Sequence, residues 1–128
     1  MSYYLSRTVP LTFADAVVRI KDSLAREGFG VLSDIDVQAT LKGKLGVEFP
    51  AYRILGACNP ASAHKALLME DKLGVLLPCN VIVRQSAPGH VEIAAVDPVK
   101  SIERTSNAGL TAVAAELRDR LQRAVDAV

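Results

Sequence analysis

The stretch Cys79-Asn80-Val81-Ile82-Val83-Arg84-Gln85-Ser86-Ala87-Pro88-Gly89-His90-Val91-Glu92-Ile93-Ala94-Ala95-Val96 decides how the rest of the chain is read. Two apolar runs flank a turn at Ala87, Pro88 and Gly89. In the first run Cys79, Val81 and Val83 share one face. In the second, Val91, Ile93 and Ala95 alternate with Glu92 and Ala94, the two-residue period of a strand. Paired runs around so short a turn predict a β-hairpin. The apolar character starts earlier, at Val75, but Pro78 cannot donate to a sheet ladder, so the regular strand is expected to begin near Cys79. Asp97 and Pro98 end the hairpin.

Immediately upstream, Tyr52 to Cys58 is a short apolar run that reads as a buried strand. Asn59 and Pro60 then supply the cap and first position of a helix. That helix is expected from Pro60 to about Leu73, burying Ala63, Ala66, Leu67 and Leu73, with Gly74 as its left-handed stop. Further back, Tyr3 to Val9 reads as a strand. Thr12, with Asp15 three residues on, caps a helix over Phe13 to Glu27 whose apolar stripe is Phe13, Val17, Ile20 and Leu24. Gly28 supplies the left-handed residue after it, and Phe29 folds back on Leu24. Gly30 to Val37 reads as a strand ending at Asp36, which caps a short helix carrying Val37, Leu41 and Leu45 and closed by Gly46.

Downstream, Val99 to Thr105 reads as an irregular linker, after which Asn107 caps a last helix. Leu110, Val113, Ala114, Leu117, Leu121 and Ala124 lie on one side of that helix. Glu116–Arg120 and Asp119–Arg123 form four-residue pairs on the other. The predicted class is α+β, in the order β-α-β-(short α)-β-α-β-β-α.

Within 128 residues a second core would leave both too small, so one domain over 1–128 is expected. Fifteen basic residues stand against 14 acidic ones. So even a balance creates no global field for nucleic acid, and Arg118, Arg120 and Arg123 are interleaved with Glu116 and Asp119 as on a solvated helix face. No run approaches the ~20 apolar residues of a membrane span, and the first residues lack the apolar core of an export signal. A cytoplasmic location with reduced thiols is the expectation, with neither a membrane nor nucleic acid as partner.

The segment from Tyr52-Arg53-Ile54-Leu55-Gly56-Ala57-Cys58 to Asn59-Pro60, followed by Gly74-Val75-Leu76-Leu77-Pro78-Cys79 and Asn80-Val81-Ile82-Val83, resembles family 302 of the domains of unknown function. Glu27-Gly28-Phe29-Gly30-Val31-Leu32, Ile35-Asp36-Val37, Thr40-Leu41-Lys42 and Asp97-Pro98 extend the likeness over nearly the whole chain. The resemblance implies a bacterial or archaeal protein with an antiparallel sheet, packed helices and a homodimeric state. It implies no reaction and supplies no catalytic residues.

The most distinctive feature of the residues is a repeated pair, Cys58-Asn59 and Cys79-Asn80. Cys58 precedes a helix N-terminus, where unpaired N–H groups favour a thiolate. If the strands ending at Cys58 and starting at Cys79 are neighbours, the two sulfurs approach each other. Against this stands a plain alternative: free cysteine is among the most buried residue types, and Asn59 serves as a cap whatever else it does. His64, one turn into the helix, is the remaining candidate beside Cys58. A tetrahedral zinc site takes four ligands, and two isolated cysteines are a weak signal for one. Glu48, Asp34, Asp36 and Asp97 read as solvated, turn or capping carboxylates. Arg53, inside an apolar strand, is expected to face solvent, a partner subunit or a carboxylate, with a water-exposed strand face the plainest of these. Tyr3, Tyr4 and Tyr52 read as core or interface residues. Lys42-Gly43-Lys44-Leu45-Gly46 has neither glycine spacing of a nucleotide-binding loop.

Three functions remain open from these residues. The first is a homodimeric domain binding a small ligand or soft metal in a pocket near Cys58, Asn59, Cys79, Asn80 and His64. The second is a thiol-dependent redox enzyme using Cys58 as the reactive thiolate and Cys79 as its resolving partner. The third is an association scaffold. The residues do not identify a cofactor or a catalytic group.

Overall fold

A computed structural model describes residues 2–128. The hairpin forms as its alternation predicts: β4 (Cys79–Ala87) and β5 (His90–Val96) pair antiparallel, and Gly89 turns the chain at φ 74°. Around them β1 (Tyr4–Val9), β2 (Gly30–Asp36) and β3 (Tyr52–Cys58) complete a five-stranded antiparallel sheet in the order β1-β5-β4-β3-β2. The class is α+β, in the predicted element order with one helix added.

Five helices accompany the sheet: α1 (Phe13–Arg26), α2 (Val37–Leu45), α3 (Pro60–Met69), α4 (Pro98–Ile102) and α5 (Thr111–Asp126). Their starts follow local chemistry. Thr12 accepts from the Asp15 N–H at 3.1 Å, Asp36 from Ala39 at 2.9 Å and Asn59 from Ser62 at 3.1 Å. After α1, Gly28 takes φ 85° and the Phe29 N–H bonds the Leu24 carbonyl at 2.9 Å, which folds Phe29 back into the core as expected.

Register sorts the side chains into two faces. Leu5, Ala95, Val81 and Leu55 follow one another across four strands, as do Ile93 and Val83, and all of these are buried. Ile20 and Leu24 of α1 and Leu117 and Leu121 of α5 belong to the same core. Ser23 ties the two helices by donating its hydroxyl to the Ala124 carbonyl at 2.5 Å. Opposite registers, through Ser6, Ala94, Ile82, Ile54 and Ile35, run across the other face.

Several expectations change. Val99–Thr105 contains a helix, not an irregular linker: Asp97 accepts from the Val99 N–H at 3.0 Å and Pro98 opens α4, repeating the Asn59–Pro60 arrangement. The helix after Asn59 ends at Met69, without a left-handed Gly74, because a separate 3-10 turn over Leu73–Leu76 carries Leu73 into the core. Leu67 is 40% exposed, since α3 meets the core mainly through Ala66. Arg123 pairs with Glu27 at 2.9 Å and not with Asp119, joining α5 to the end of α1. Asn107 caps a 3-10 turn over Ala108–Leu110 that leads directly into α5.

Candidate functional site

Cys58 ends β3 and Cys79 begins β4, and the pairing of Ala57 with Cys79 sets Cys58 one residue out of register with its counterpart. Both cysteines line one cavity, with Phe29, Ala66, Leu77 and Leu117 also in its wall. That cavity holds only about 20 Å³, room for a single water at most, and an apolar wall gives water few partners. Burial pushes the Cys79 thiol up to about 11, and the neighbouring Cys58 adds to the shift. At pH 7 only about one Cys79 in ten thousand would be a thiolate, which makes it a poor attacking sulfur.

The other members of the predicted cluster separate. Asn59 borders the cavity, with its side-chain oxygen committed to the α3 cap. His64 is exposed on α3 and absent from the cavity wall. Asn80 alternates to the opposite side of β4 and is exposed there. Two sulfurs amount to half a tetrahedral ligand set, and among the described residues no three His, Cys, Asp or Glu side chains stand together so as to hold a metal.

A larger space lies on the face that Asn80 joins. Tyr3, Tyr4, Tyr52, Asn80, Arg84 and Glu92 line a concavity of about 630 Å³ over Ile82, Ala94 and Val96. Its walls are aromatic. Tyr3 and Tyr4 pack edge to face at 5.1 Å, and Phe49 stands 6.1 Å from Tyr52 on the other side. On the floor Arg84 donates to Glu92 at 2.7 Å across the β4–β5 ladder. The alternation of Arg84, Glu92 and Tyr52 with buried neighbours signals this face in the sequence; that three tyrosines from two distant segments meet on it requires the sheet order.

Asp36 caps α2 and Glu48 lies exposed on the surface, as expected, whereas Arg53 departs from the plainest expectation. Arg53 lies on the helix side of β3 and is half-buried, where it holds Asp34 with two hydrogen bonds. Lys21 of α1 adds a third contact at 3.0 Å. Asp34 is exposed but paired: Arg53, opposed by partial burial and assisted by Lys21, holds its carboxyl at about 2. Asp97 is buried and bound by Arg118 at 3.1 Å, an α4–α5 tie. Glu48 pairs with Lys42 on the surface.

The model of the family described as domain of unknown function DUF302 matches residues 5–128. A crystal structure of the uncharacterized conserved protein DUF302 from Bacillus stearothermophilus is similar, at 29% identity with 98% of each chain covered and a TM-score of 0.91. No curated protein matches the chain. No helix among the described residues is long and apolar enough to cross a membrane.

Proposed function

The chain belongs to the DUF302 family, and we propose that it is a non-catalytic binding domain, homodimeric in its working state, whose ligand occupies the concavity on the open sheet face. One observation carries the reading: the concavity falls within the ~300–1,000 Å³ range of small-molecule sites, whereas the cavity at the cysteines is about 20 Å³. Its aromatic walls and apolar floor suit the body of a small amphipathic molecule. Arg84, Glu92 and Asn80 suit a head that carries paired donors and acceptors, as an amide or an amino-acid zwitterion does.

The thiol-enzyme alternative is weaker on physical grounds. Cys58 has a helix start beside it, but the sulfur that would resolve an oxidised Cys58 is buried and protonated at neutral pH. Alkylation against pH tests this directly. Cys58 is expected to react first and Cys79 to lag until strongly alkaline conditions, while fast Cys79 modification near pH 7 would revive redox chemistry.

Tyr3, Tyr4 and Tyr52 are the protein's only tyrosines, tryptophan is absent, and all three border the proposed site. Intrinsic emission thus reports on this site alone. Titration with leucine, leucinamide and related amides should produce a saturable change, weakened about 10-fold in Arg84→Ala and unaltered in Cys58→Ser. Binding lost in Cys58→Ser but kept in Arg84→Ala would move the site to the cysteine cavity.

A further inference from the structure

We infer that a smaller concavity beside Tyr3 is an anion subsite built from Lys100 and Arg104, and that the ligand of the open face carries a phosphate monoester at that end. The inference rests on the proposed function for the ligand's body, but not for the phosphate subsite itself.

Position is the first argument. β5 ends at Val96 and the chain turns at once into α4, while the Asp97 N–H donates to the Tyr3 carbonyl at 2.8 Å and fixes the start of β1 beside that turn. α4 and the 3-10 turn after it (Glu103–Thr105) thereby wall a second concavity of about 400 Å³. Its volume lies within the ~300–1,000 Å³ range of small-molecule sites. Tyr3 and Val96 line both spaces. One molecule can therefore lie with its body on the tyrosines and its end against α4.

Charge is the second argument. On the floor of the large concavity Arg84 is already neutralised by Glu92 at 2.7 Å. Lys100 and Arg104 both line the smaller one, and among the described residues neither forms an ion pair. Like charges four residues apart on a helix repel, so this placement costs stability unless an anion lies between them. Lys100 is half-buried, which raises that cost by withdrawing part of its hydration. Glu103 is the one carboxylate of the wall and is exposed, which leaves the wall net positive. The serine hydroxyls are committed, Ser2 to the Tyr4 carbonyl at 2.8 Å and Ser101 to the Pro98 carbonyl at 3.3 Å. The ammonium and the guanidinium are therefore the donors left for a ligand. A phosphate monoester suits them better than a carboxylate, because it brings close to two negative charges at neutral pH and three acceptor oxygens. Those oxygens match one compact cation and one planar fork.

Tyrosine emission of the full chain tests this with three probes that do not absorb: hexyl phosphate, hexanoate and hexanol share an apolar body and differ at the end group. Hexyl phosphate is expected to bind about 10-fold tighter than hexanol, and Lys100→Gln/Arg104→Gln should abolish that gain. Lys44→Gln/Lys65→Gln, which removes the same charge from exposed positions on α2 and α3, should leave it intact. If circular dichroism shows the first double variant unfolded, Arg104→Gln alone, at an exposed position, replaces it and should cut the gain about 3-fold. Equal affinity for hexyl phosphate and hexanol would overturn the inference, as would a gain that survives loss of Lys100 and Arg104 or vanishes equally in the control. Hexanoate binding as tightly as hexyl phosphate would overturn the phosphate class. Leucinamide binding with no gain from phosphate keeps the open-face reading and sinks the subsite; a gain that depends on Lys100 and Arg104, with neither leucine nor leucinamide bound, does the reverse.

Discussion

Val81 and Ile82 are adjacent on β4 and occupy opposite environments. Val81 is fully buried between the sheet and the helices, while Ile82 forms part of the floor of an open concavity. The same division runs along the neighbouring strands, with Ile93 beneath the helices and Glu92 and Ala94 on the other side. One face thus holds the fold together, and its opposite is available for recognition. Antiparallel sheets permit this arrangement because their hairpin connections need not place helices on both sides.

The contrast is most sharply tested by paired truncations. Ile93→Ala on the helix-covered face should cost about 2–5 kcal/mol, because it leaves a cavity in a closed core. Ile82→Ala should cost less than about 1.5 kcal/mol, measured in denaturant melts at a concentration where the protein is monomeric. Equal losses would mean that the open face is part of the folding core.

Gly56 sharpens the comparison, since it sits on the open side of β3 but has no free space. A methyl group there would come 2.3 Å from the Ser33 hydroxyl and 2.8 Å from the Pro78 ring. Gly56→Ala is therefore expected to destabilise by about 1–3 kcal/mol through overpacking. Ser33→Gly in the same background should recover only part of the loss, because the proline ring cannot turn away as a hydroxyl can.

On the covered side, the caps that hold the helices against the sheet should contribute less than the core. Asn59→Ala removes the acceptor of the Ser62 N–H and is expected to cost about 0.5–2 kcal/mol. Asn59→Asp should retain most of the stability, and a neutral result for Asn59→Ala would show that the first turn of α3 needs no cap.

The smallest effect is expected at the sheet edge, from the Asp34–Arg53–Lys21 group. The folded-state pKa of Asp34, about 2, lies below its ordinary value of 3.8. Its contribution is therefore fully present above pH ~4 and lost as pH falls toward 2. Partial exposure of all three groups limits the effect to about 1 kcal/mol. Comparison of wild type with Asp34→Asn across pH 2–7 should show the gap closing toward acid; a constant gap would assign the loss to packing.

Legibility in the sequence followed the range of the interactions. The hairpin, the caps at Thr12, Asp36 and Asn59, and the glycine after α1 all depend on residues within a few positions of one another. α4 was missed, although Asp97–Pro98 repeats the signal of Asn59–Pro60, because Val99–Thr105 lacks an apolar stripe and reads as a linker. The exposed Leu67 was misread for the opposite reason: periodicity shows an apolar residue without showing whether anything covers it.

The amino-acid order by itself determined the element sequence, the hairpin and most helix starts, since strand alternation, helical periodicity and capping are satisfied within a few residues. Only the tertiary structure decided which face of the sheet the helices cover. It separated Asn80 from Cys79, closed the space around the two sulfurs, and brought Tyr3, Tyr4 and Tyr52 to one concavity. Arg53 found Asp34 in the same way, across a strand pair 19 residues apart in sequence. These outcomes depend on register and strand order, where a shift of one residue moves every side chain to the opposite face. That is why the candidate site lies on the open face, away from the paired cysteines.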